Sequence, residues 1–74
     1  MAADKLVMMA NQIGKFFAAQ PHADGAAGVA EHIKKFWDPR MRRQIAAHLA
    51  AGGAGLDPIV RTALEKLPPP KNPR

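Results

Sequence analysis

Apolar residues recur along this chain at the three-to-four residue spacing of helices facing a common core. Leu6, Met9, Ile13, Phe16 and Phe17 form the first such stripe and predict a helix over residues 4–19. Pro21 and the small residues after it break that helix. A second stripe, Val29, Ile33, Phe36 and Trp37, predicts a helix over 25–37, and Met41, Ile45 and Leu49 predict a third over 39–51. Gly52-Gly53 closes the third helix, because glycine reaches the positive φ that a helix C-terminus demands. Ile59, Val60, Ala63, Leu64 and Leu67 predict a fourth helix over 58–67, stopped by Pro68-Pro69-Pro70. No alternating pattern of strand type appears, so the expected fold is all-α: a small bundle of about four short helices. Residues 1–67 are expected to form a single helical domain, and the proline-rich tail 68–74 to be disordered.

The boundaries carry their own chemistry. All four Asp residues (Asp4, Asp24, Asp38 and Asp57) fall at predicted helix starts, where a carboxylate accepts orphan backbone N–H groups and meets the positive end of the helix dipole. Asp38-Pro39 and Asp57-Pro58 go further, with Asp as N-cap and Pro as the first helical residue, where its missing N–H costs nothing.

Composition makes this a thin domain. Of 74 residues, 47% are hydrophobic, but 15 are Ala, leaving 19 large apolar residues once the initiator Met is set aside. Backbone ordering costs roughly 1–2 kcal/mol per residue, so such a core leaves little net stability. With no Cys there is no disulfide staple, no thiolate metal site and no iron-sulfur ligation within the chain. A small domain without staples gains stability by docking on a partner. The pattern offers surfaces for this: Val7 and Met8 fall off the first stripe, and Ile59 and Leu64 lie about 140° apart on the fourth helix, too wide for one small core.

Catalytic chemistry is missing from the inventory. There is no Ser, Cys or Tyr; Thr62 is the one side-chain hydroxyl and has only Glu65 near it. Glu31 and Glu65 sit on different helices, and the Asp residues are explained as caps. His22, His32 and His48 include no pair at the i, i+4 spacing of a helical zinc site. Gly52-Gly53-Ala54-Gly55 has neither a preceding strand nor a following Gly-Lys-Ser/Thr, and reads as a loop, not a phosphate cradle. No run approaches the roughly 20 apolar residues of a membrane span, and Met1 to Lys5 lack the features of a signal peptide, so a cytoplasmic protein without membrane contact is expected.

The net charge of +5 favours an acidic partner surface or a polyanion. On the third helix Arg40 and Arg43 lie opposite the apolar face; on the second, Lys34 and Lys35 point away from it. A free-standing nucleic-acid binder is one reading of these cations. Asp38 and Glu31 interrupt the basic run, however, and no recognition-helix pattern aimed at base edges stands out. Nucleic acid is therefore not the expected partner. Trp and Arg are the residues most enriched at interface anchor points, which makes Phe36, Trp37, Arg40 and Arg43 the candidate partner-binding residues. Trp37 has two readings, core residue and partner anchor, and the wheel position at the edge of its stripe admits both.

One stretch is distinctive as a string. His32 to Arg42, HIKKFWDPRMR, resembles the central signature of the delta subunit of NAD-dependent formate dehydrogenases. The matching stretches Leu6 to Phe17 (LVMMANQIGKFF), Gly28 to Arg42 (GVAEHIKKFWDPRMR) and His48 to Leu67 (HLAAGGAGLDPIVRTALEKL) carry the resemblance nearly end to end. It implies a cytoplasmic complex oxidising formate to carbon dioxide. In such a complex the alpha subunit carries a molybdenum or tungsten bis-molybdopterin guanine dinucleotide and iron-sulfur clusters. NAD is reduced at an FMN-bearing beta subunit, and a gamma subunit completes the assembly. The resemblance implies no cofactor and no catalytic residue in this chain. Its implied role is noncatalytic: docking on the alpha subunit to stabilise it or to support cofactor insertion.

Overall fold

A computed structural model describes residues 3–20 and 24–67. They form four helices and, among the described residues, no strand: α1 (Ala3–Ala18), α2 (Gly25–Phe36), α3 (Pro39–Ala50) and α4 (Pro58–Lys66). Each boundary lies within one residue of the one read from the sequence. His22 and the tail 68–74 lie outside the described residues.

Caps explain the accuracy of two boundaries. The Asp24 carboxylate accepts the Ala27 N–H at 3.1 Å, and Asp38 accepts the Met41 N–H at 2.9 Å, each reaching the third residue of its helix. The Ala27 N–H, assisted by Lys66 Nζ 3.5 Å away, holds the Asp24 carboxyl below the usual carboxylate range. Two expectations need correction. Asp4 lies inside the first turn of α1, where it can still meet the dipole. Asp57 occupies the N-cap of α4, but its side chain makes no capping bond. The polar work at that corner is done from across the molecule: Asn11 Oδ1 on α1 accepts the Asp57 N–H at 3.0 Å, while its Nδ2 donates to the Gly55 carbonyl at 2.9 Å.

The α3–α4 loop is tied on every side. Gly53 N–H reaches back to the His48 carbonyl at 2.9 Å and Gly52 N–H to Leu49 at 3.0 Å, the paired bonds of a Schellman cap, with Gly52 at φ 122°. His48 Nε2 bonds the Ala54 carbonyl at 2.8 Å, and Arg61 Nη2 donates to the carbonyls of Gly52 and Gly53. The glycine-rich segment is thus a helix terminator with its carbonyls already engaged.

One hydrophobic cluster draws on all four helices: Leu6, Val29, Ile33, Ile45 and Val60 are its large, fully buried members, joined by Ala10, Ala26, Ala30 and Ala63. Such small residues let the helix backbones come close. A Cβ on Gly14 would lie 2.7 Å from Val60 Cγ2, and one on Gly28 would lie 2.5 Å from the Phe17 ring, so α4 and α2 pack directly over α1 backbone and side chain. Ile59 and Leu64, expected to lie too far apart for one small core, both pack into it: Leu64 is buried, and Ile59 sits against the core where Gly14 and Gly25 leave room for it. Val7 likewise joins the core margin, whereas Met8 stays exposed.

Gly14→Ala tests this close approach. Overpacking a well-filled contact costs about 1–3 kcal/mol, against roughly 0.5–1 kcal/mol recovered from the better helix propensity of Ala. The expected outcome is net destabilisation of about 1 kcal/mol, a fall of roughly 4–8 °C in midpoint for a chain this size, read by thermal unfolding. An unchanged or higher midpoint would mean that Val60 yields and the contact is not limiting.

Candidate docking groove

The thin core holds Trp37 but leaves two of the phenylalanines outside. Phe16 is 62% exposed and Phe36 71% exposed, although both belong to stripes that predicted burial. The reason on α1 is adjacency. Consecutive helical residues point about 100° apart, and Phe17 takes the inner position, its ring filling the space above Gly28. On α2 the inward direction at the C-terminal end belongs to Ile33 and Trp37, and Phe36 is turned toward the flank.

These rings collect on one side. Phe16 and Phe17 meet edge to face at 5.1 Å between centroids and Phe17 and His32 at 6.4 Å, while His32 and Phe36 lie tilted at 4.7 Å. The row runs across the α1–α2 seam. Beside it lies an open groove of about 520 Å³ whose floor is Ile13, Phe17 and Trp37 and whose polar groups are Gln12 and His32. A second, smaller hollow of about 240 Å³ shares Phe17 and His32 with it and is completed by Gly28, Glu31, Lys35 and Phe36. Monomeric soluble domains keep large apolar side chains scattered; a run of them around concave surface marks an interaction site.

The four candidate partner-binding residues separate in space. Phe36 stands on the surface at the edge of the smaller hollow, whereas Trp37 is only 6% exposed, belonging to the core and forming part of the groove floor. Arg40 is exposed on α3 and Arg43 is half-buried on the same helix; neither lines the groove. The motif Phe-Trp-Asp-Pro-Arg is thus a corner: Phe36 ends α2 and faces out, and Trp37 turns inward. Asp38 then caps α3 and Pro39 starts it. Sequence reasoning missed Phe16 and Gln12 as groove residues and His32 as a member of the aromatic row. The Phe16-Phe17 pair was the available signal, since two adjacent rings cannot both face one narrow core.

Two further polar side chains are engaged within the fold. Thr62 Oγ1 donates to the Pro58 carbonyl of its own helix at 3.1 Å, and His48 is bound to Ala54. Among the described residues no three His, Cys, Asp or Glu side chains converge as metal ligands. With no Cys in the sequence, this donor set does not fit an iron-sulfur cluster. No helix among the described residues is long and apolar enough to cross a membrane.

The family model of the NADH-dependent formate dehydrogenase delta subunit, FdsD, matches residues 5–64. The chain belongs to that delta-subunit family. The matched span runs from the first turn of α1 nearly to the end of α4, and so contains the whole aromatic row, the corner at Trp37 and the tied α3–α4 loop. No curated protein and no solved structure matches this delta-subunit chain.

Stability separates the two aromatic neighbours. Trp37→Ala removes a buried anchor and is expected to cost about 3–5 kcal/mol, enough to unfold much of a domain this thin. Phe36→Ala is expected to change stability by no more than about 0.5 kcal/mol. Urea unfolding followed by circular dichroism compares them; equal losses would show that Phe36 is a core residue after all.

Proposed function

We propose that this chain is a noncatalytic accessory subunit of a cytoplasmic NAD-linked formate dehydrogenase, and that it docks through the α1–α2 groove on the alpha subunit. In that complex the alpha subunit carries the molybdopterin cofactor and iron-sulfur clusters. The FMN-bearing beta subunit reduces NAD, and a gamma subunit completes the assembly. The chain stabilises the alpha subunit or supports insertion of its cofactor.

The observation that carries the reading is the exposed aromatic row. Phe16 and Phe36 stand 62% and 71% exposed beside a groove floored by Trp37, while Asp24 and Asp38 are engaged as helix caps and Asn11, His48 and Arg61 as loop ties. Family membership supplies the complex in which such a surface has a use. Burying two phenylalanines against a partner removes roughly 1.5–3 kcal/mol of unfavourable hydration each, a large contribution for a domain whose own core is thin.

The test is affinity recovery of the full chain, tagged at its C-terminus, from its native host after a wash in about 0.3 M salt. Co-elution of a molybdopterin-containing subunit with formate-dependent NAD reduction is expected. The Phe16→Ala, Phe36→Ala double variant, folded by circular dichroism, is expected to lower that yield at least tenfold. Undiminished recovery with the double variant would move the docking surface elsewhere, and recovery of nucleic acid in place of the subunit would refute the reading.

A further inference from the structure

Resting on that docking reading, we propose that the partner element seated in the groove is an amphipathic α-helix with two bulky apolar side chains one turn apart and acidic residues along its flank. Three observations lead there. The groove is double. Hollows of about 520 Å³ and 240 Å³ share one wall, made by Phe17 and His32, so a single bulky side chain cannot fill both. Helical residues three or four apart place their side chains on one face about 5–6 Å from each other, a spacing that straddles one aromatic wall.

The backbone leaves a strand nothing to pair with. Among the described residues there is no strand and hence no sheet edge, so an extended segment gains no ladder hydrogen bonds here. A helix satisfies its own backbone and brings only side chains to an apolar trough.

Charge gives the flank its sign. Residues 31–43 contain Lys34, Lys35, Arg40, Arg42 and Arg43 against Glu31 and Asp38, five cations to two acids, a local excess of +3. Asp38 is already occupied by the Met41 N–H. The ion pair among the described residues is Lys66 with Asp24, at the far end of α2, so none of those five cations has a carboxylate partner there. Lys35 and Glu31 both border the smaller hollow, and the other four cations line neither hollow, so the positive excess belongs to the surface beside the groove. A second copy of this chain fits poorly, because it brings the same +5 charge to the same face.

Site-specific photocrosslinking reads this out in the assembled complex. The full chain carries p-benzoylphenylalanine in place of Phe16, of Phe36, or, as a control, of exposed Ala47 on α3, and is co-expressed with the formate dehydrogenase subunits. Crosslinks from positions 16 and 36 onto one acidic helical segment of the alpha subunit, with none from position 47, are expected. Lys35→Glu is expected to weaken complex formation about tenfold at roughly 50 mM salt and much less at roughly 0.5 M, where the charges are screened. Crosslinks onto a strand, onto a loop or onto a helix without acids overturn the helix proposal while leaving docking intact, as does a Lys35→Glu variant that binds equally at both salts. Co-purification with crosslinks only from position 47 overturns the groove itself, and failure of any subunit to co-purify removes the docking reading and this one together.

Discussion

The closeness of α1, α2 and α4 governs the rest of this molecule. Gly14 and Gly28 leave no room for a methyl group, and Ala10, Ala26, Ala30 and Ala63 line the remaining contact. Close-packed interiors tolerate little change of volume, so a core built on such small residues accepts Leu, Ile and Val but has no space for three phenylalanines. Phe17 reaches half-burial by lying over Gly28; Phe16 and Phe36 remain outside. The exposed aromatic row is therefore a consequence of how the backbones pack, and the same residues that stabilise the bundle create the surface proposed for docking.

A second constraint works through polar atoms. The α3–α4 loop has three glycines at positive φ, and its order comes from Asn11, His48 and Arg61, which bond its backbone from α1, α3 and α4. Backbone groups in a loop between buried elements must find partners, and here side chains from three helices supply them.

Much of the fold was legible in the sequence because its signals are local. Asp-Pro pairs, Gly-Gly and apolar spacing act within one or two helical turns, and helix ends followed from them to within a residue. What stayed hidden depends on separation. Asn11 meets residues 44 and 46 positions away, and nothing near it in the chain announces that contact. The stripes of α1 and α2 likewise show which residues are apolar but not how deep the core is; the depth is set by glycines on neighbouring helices. Phe16 and Phe36 were thus assigned to stripes whose inner positions were already filled. The resemblance carried by Phe36 to Arg42 gave the family, yet only the structure separates outward Phe36 from inward Trp37.

On the proposed docking, this delta-subunit chain meets its complex through the α1–α2 seam. Amide hydrogen exchange, compared residue by residue between the free chain and the chain within purified formate dehydrogenase, tests it most directly. Slowed exchange concentrated at residues 12–18 and 31–37, with the outer face of α3 little changed, is the result this account requires. Protection confined to residues 40–51, with the seam exchanging as it does in the free chain, would contradict it.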